Sequence, residues 1–104
     1  MYDHCKVLRV TGDTDAALPK HTKVHKIQVI NGTTSATASM KLHDAATVTG
    51  NPVAEVHSEE VTDGGASLFA TSTSEDFPRP LFFEVGVSID MTGTNAVGYV
   101  FYTL

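Results

Sequence analysis

Ala36-Thr37-Ala38-Ser39-Met40-Lys41-Leu42-His43 alternates without a break. Ala38, Met40 and Leu42 fall on one face of an extended chain, and Thr37, Ser39, Lys41 and His43 on the other. Successive side chains of a strand point to opposite faces, so a period of two predicts a strand with one buried and one solvated side.

Upstream, Lys23 to Asn31 reads as a second strand. His25, Ile27 and Val29 share one face, opposed by Val24, Lys26, Gln28 and Ile30. Asn31-Gly32 tolerates positive φ and predicts a hairpin between these two strands, its tip extending through Thr33-Thr34-Ser35. Cys5 to Thr11 is a further strand, with Cys5, Val7 and Arg9 alternating with Lys6, Leu8 and Val10. Gly12-Asp13-Thr14-Asp15 reads as a turn, and Pro19 blocks any helix through Ala16 to Lys20.

Downstream, Asp44 to Pro52 is a loop ending in Gly50-Asn51-Pro52, and Val53 to Val61 alternates as a strand. Asp63-Gly64-Gly65 marks a turn before a strand-like run from Ala66 to Ser74. Phe77-Pro78-Arg79-Pro80 is a rigid extended entry, since each proline fixes its own φ and restricts its predecessor. Leu81 to Glu84 is a short apolar strand, with Val85-Gly86 as its turn or bulge. Val87, Ile89 and Met91 alternate with Ser88, Asp90 and Thr92, and Thr92-Gly93-Thr94-Asn95 turns the chain into Ala96 to Leu104. That last run is apolar on both faces, which predicts a central strand or one buried between subunits.

The whole is a single all-β domain over residues 1–104. Short strands with turn signals every ~8–12 residues predict an antiparallel β-sandwich, jelly-roll-like, of about eight strands. Composition agrees: only 18% of residues are charged, and Thr, Ser, Ala, Gly and Val stand where helix formers would be.

Composition also sets limits on function. A net charge of −5 disfavours nucleic-acid binding, and no stretch approaches the ~20 apolar residues that span a bilayer. The N-terminal Met1-Tyr2-Asp3-His4-Cys5-Lys6 lacks the regions of a signal peptide, so synthesis in the cytoplasm is expected. Cys5, the single cysteine, has no partner in the chain for a disulfide and reads as a small, partly buried side chain. A small domain without such a staple gains from burial between subunits.

Candidate chemistry weighs against catalysis. His21 and His25 are four apart in a stretch that is not helical, His43 and His57 lie on different strands, and no zinc-ligand spacing is present. Asp13 and Asp15 beside Gly12 resemble the start of a calcium loop whose later part is replaced by Pro19 and Lys20, so a polar turn is the simpler reading. Glu59 and Glu60 point to opposite faces of a strand and need a distant partner such as Asp44, Asp63 or Asp90 to act as a glycosidase pair. Gly65-Ala66-Ser67-Leu68 lacks the final glycine of a nucleophile elbow. No catalytic residue, metal ligand or cofactor site is assigned. Lys20, His21, Lys23, His25 and Lys26 form the only basic cluster; an edge strand guarded by lysines outweighs a patch for nucleic acid or sulfated glycan. The aromatic residues fall mostly in apolar strands, where core packing is the default, although rings that reach solvent would suit sugars.

Six stretches of residues carry a resemblance. Ile27-Gln28-Val29-Ile30-Asn31-Gly32-Thr33-Thr34, Met40-Lys41-Leu42-His43-Asp44 and Thr49-Gly50-Asn51-Pro52-Val53 make the first part. Pro80-Leu81-Phe82-Phe83, Gly86-Val87-Ser88-Ile89-Asp90-Met91-Thr92-Gly93-Thr94 and the closing Val97-Gly98-Tyr99-Val100-Phe101-Tyr102 complete it. Over Val24 to Tyr102 the chain resembles small virion structural proteins of tailed bacteriophages; His43 stands where that family often has an aromatic. The resemblance implies a jelly-roll-like sandwich, assembling as a homotrimer on a capsid or tail, non-catalytic and acting through protein–protein contacts. Leu81, Phe83, Val97, Tyr99, Phe101 and Tyr102 are the expected subunit contacts. The alternative is a lectin-like, carbohydrate-binding module with Asp13, Asp15, Asp44 and Asp63 supplying polar contacts from loops.

Overall fold

The structure is a computed structural model describing residues 5–31, 37–58, 71–93 and 95–104. Its strands are β1 (Lys6–Val10), β2 (Thr14–Leu18), β3 (Thr22–Asn31), β4 (Ala38–Asp44), β5 (Ala54–Ser58), β6 (Thr71–Phe83), β7 (Val87–Thr92) and β8 (Val97–Thr103). They form two four-stranded antiparallel sheets, β1-β8-β3-β6 (sheet A) and β2-β7-β4-β5 (sheet B). β1 pairs with β8, β2 with β7, β3 with β6 and β4 with β5, so the chain is one long hairpin whose successive pairs alternate between the sheets. Over the described residues the protein is therefore an all-β sandwich of eight strands.

Apolar residues from both inner faces meet between the sheets. Val10, Val24, Ile27, Val29, Phe83 and Val100 come from sheet A, and Leu18, Ala38, Met40, Leu42, Val56, Val87 and Ile89 from sheet B. Burying a side chain of this size is worth about 1.5–3 kcal/mol, and this layer is the main source of stability. β4 places Ala38, Met40 and Leu42 in the core, as its alternation predicts. β8 is central in sheet A, between β1 and β3, as its double apolarity predicts.

Four expectations need correction. β3 and β4 do not form a hairpin: Asn31 ends a strand of sheet A and Ala38 begins one of sheet B. Buried Asn31 instead ties the sheets together, donating from Nδ2 to the Ser58 carbonyl at 3.4 Å. In β3 the core face is Val24, Ile27 and Val29, because His25 sits at a register shift and reverses the alternation there. A bulge inserts an unpaired residue and shifts the phase of the strand, which strict counting does not register.

The run through Pro78 and Pro80 belongs to a single strand, β6, rather than an entry to a separate one. On one side of the shift Val24 faces Leu81, and on the other Lys26 faces Asp76. Phe77-Pro78-Arg79-Pro80 thus bows out opposite His25, on an edge strand where proline's missing N–H breaks no ladder. Lastly, β2 begins inside the expected turn at Gly12–Asp15. It meets β7 only at Thr14–Ile89 and Leu18–Val87, with Ala16 at φ 48 between them. Positive φ at a residue with a Cβ is strained, and buried Ser88 compensates: its Oγ accepts the Ala16 N–H at 3.0 Å and donates to the Ala45 carbonyl at 2.7 Å.

Candidate functional site

Residues paired across an antiparallel ladder share a face, so the registers specify what each outer surface presents. On sheet A, one outer row runs Val7, Phe101, Lys26, Asp76 across β1, β8, β3 and β6. The next runs Arg9, Tyr99, Gln28, Ser74, and beyond it Val97 stands beside Ile30 and Ser72. On the other side of the first row, Thr103, Lys23 and Phe82 stand abreast. Val7 is 52% exposed and Phe82 49%, while Tyr99, Phe101, Val97 and Ile30 are half-buried by their neighbours.

Local contacts hold this surface in place. Lys26 Nζ lies 5.3 Å from the centre of the Phe101 ring, a cation–π contact that desolvates neither group fully. His25 Nε2 is 2.8 Å from Thr103 Oγ1, and the His21 ring stacks on Phe82 at 5.8 Å between centroids. The basic cluster noted in the sequence therefore does not guard an edge. β3 is flanked by β8 and β6, and its lysines stand on the open face of an interior strand.

Charge is divided between the layers. The strands of sheet A carry Lys6, Arg9, Lys23, Lys26 and Arg79 against Glu75 and Asp76. Those of sheet B carry Asp15, Asp44, Glu55 and Asp90 against Lys41 alone. The outer face of sheet B is also hydrophilic: Glu55, Lys41 and Asp90 form one row, and His57, Ser39 and Thr92 another. Glu55 pairs with His57. Aromatic and branched apolar side chains reach the outer surface of sheet A and are absent from those rows.

The other candidate residues have structural partners. Asp13 Oδ1 accepts the Met91 N–H at 2.8 Å, and Asp15 Oδ1 accepts that of Val48 at 3.0 Å. Asp44 accepts three backbone N–H groups, those of Glu84 (3.2 Å), Val85 (2.8 Å) and Gly86 (3.4 Å). These carboxylates pin loops together. His43 is buried and donates from Nδ1 to the Thr49 carbonyl at 3.1 Å, and its Nε2 faces no partner. His57 is paired with Ser39, two register rows away from His43, so the two rings do not meet. Among the described residues, no three of His, Cys, Asp and Glu converge as a metal group, and no helix is long and apolar enough to cross a membrane. Glu59, Glu60, Asp63 and Ser67 lie outside the described residues.

Of the expected contact residues, Val97, Tyr99 and Phe101 lie on the outer face of sheet A. Phe83 does not: it pairs with Thr22, points inward and is fully buried, so its neighbour Phe82 is the ring that reaches the surface. Leu81 and Tyr102 likewise pack against the core. Val7, Arg9, Gln28, Ile30 and Asp76 belong to the face and were not singled out from sequence. The one available signal was the spacing of Lys23 and Lys26, which share a face only if the strand is bulged between them.

Fold and surface of the described residues together define an eight-stranded β-sandwich with one polar and one basic, aromatic face. Compared with protein-family models, curated proteins and solved structures, the chain matches none of them.

Proposed function

We propose that this protein is a non-catalytic structural subunit of a tailed-phage virion, attached to the capsid or tail through protein–protein contacts. The outer face of sheet A carries this reading. It combines Tyr99, Phe101, Arg9, Val7 and Ile30 on one four-stranded surface, and aromatic residues with arginine are what protein interfaces select. The pairing of β1 with β8 through to β4 with β5 supports reading the sandwich as a jelly roll, an architecture used by capsid and lectin domains alike. The resemblance to phage virion proteins favours the first of these and implies a homotrimer.

The carbohydrate-binding alternative draws on the same two rings, since the loop carboxylates Asp13, Asp15 and Asp44 already accept backbone N–H groups. Two measurements test the proposal. Light scattering should give a mass that is a multiple of the 11.1 kDa chain, three-fold for the trimer. A strict monomer at high concentration refutes self-assembly. A glycan array should show no specific ligand, and one whose binding disappears in Tyr99→Ser would replace the assembly reading.

A further inference from the structure

We infer that the outer face of sheet A docks onto an acidic protein surface. The inference rests on the reading that this face meets a protein, and adds the chemistry of what it meets. The face holds three cations, Arg9, Lys23 and Lys26, and one carboxylate, Asp76, in a chain whose net charge is −5. A local positive field on an acidic molecule attracts an anionic surface and repels a second copy of itself, because two such faces would bring six cations together against two carboxylates. That excludes face-to-face pairing of copies.

Three side chains argue for a protein over an anionic glycan. Val7, exposed, and Val97 and Ile30, half-buried, are branched aliphatic residues on this face, and they fill complementary pockets in a protein partner while offering a polar sugar little. Size fits as well. The four strands span 5, 7, 10 and 13 residues, so at ~3.3 Å per residue and ~4.8 Å per strand the face covers roughly 550 Å². That footprint is about two thirds of the roughly 800 Å² that each partner contributes to a standard interface. Tyr99 and Phe101, on the central β8, supply the desolvated middle, and Arg9 and Lys23 the charged rim.

Poly-L-glutamate serves as an acidic polypeptide probe, with binding followed by fluorescence anisotropy of the labelled polymer. The full chain should bind, and more weakly as NaCl rises. The double variant R9Q/K26Q should lose about tenfold in affinity by removing two of the three cations of the face, and Tyr99→Ser a comparable factor by removing a ring from its middle. Lys41→Gln, which removes one positive charge from sheet B, should stay within about twofold of the parent. Thermal unfolding of each variant separates lost binding from lost fold. The inference is overturned by absent binding, by equal loss in Lys41→Gln, or by heparin binding that ignores Tyr99→Ser, which would mark a general polyanion patch. Self-association weakened by R9Q/K26Q would assign the face to a second copy and overturn it too. A strict monomer that binds the probe refutes self-assembly while leaving this inference standing.

Discussion

Gly98 is the position at which the packing of the sandwich can be tested most sharply. It lies on β8 opposite Val10 and Val29 and points inward. A Cβ placed there would come within 2.5 Å of Met40 Sδ and 3.1 Å of Met91 Sδ, both on sheet B. Comfortable contact needs about 3.5–4.0 Å, so Met40 must retreat by ~1 Å or more. Overpacking of this kind costs about 1–3 kcal/mol. Two effects soften it: the thioether chain is flexible, and alanine is favoured over glycine in a strand by about 0.5–1 kcal/mol. Gly98 is not among the positive-φ glycines, so its backbone suits an L-residue and the substitution reads packing alone.

Gly98→Ala should therefore cost about 1 kcal/mol net, and Gly98→Val about 3 kcal/mol. In a domain of this size the first lowers Tm by roughly 4–8 °C. Urea denaturation of Gly98→Ala, Met40→Val and the double variant forms a cycle, in which the double variant should be less destabilised than the two singles combined, by about 1 kcal/mol. A Gly98→Ala protein as stable as the parent, or strict additivity with Met40→Val, would refute the packing argument.

Adjacent Phe82 and Phe83 should behave oppositely. Phe83→Ala empties a fully buried site and should cost about 3–5 kcal/mol in chemical denaturation, while Phe82→Ala, at a half-exposed ring, should stay under about 1 kcal/mol. Ser88→Ala leaves the Ala16 N–H and the Ala45 carbonyl without their partner and should cost about 1–3 kcal/mol, with amide exchange at Ala16 accelerated more than in β4. Asp44→Ala removes the acceptor of three N–H groups in the 84–86 turn, and a loss of about 1–2 kcal/mol is expected by thermal unfolding.

The strand content of this protein was determined by local pattern. Ala38, Met40 and Leu42 alternate with polar residues, and a period of two has one structural meaning wherever one face must be dry. The Ala96–Leu104 segment, apolar on both faces, announced a central strand or one buried between subunits, and β8 is interior in sheet A. What sequence left open was everything set by contacts between distant segments. Asn31-Gly32 suits a hairpin as well as a crossing between sheets, and only the pairing of β3 with β6 and β8 selects the crossing. The bulge at His25 is a property of two strands, since it exists only relative to Leu81 and Asp76 opposite, and it decides that Val24 is core and Lys26 is surface. Charge followed the same rule. The cations are scattered from Lys6 to Arg79 in the chain, and topology alone gathers five of them on sheet A against two acids, while sheet B carries four acids against Lys41. Alternation is short-ranged, fixed by the geometry of a single strand, whereas the basic face is built from four strands whose neighbours are chosen by burial in the core.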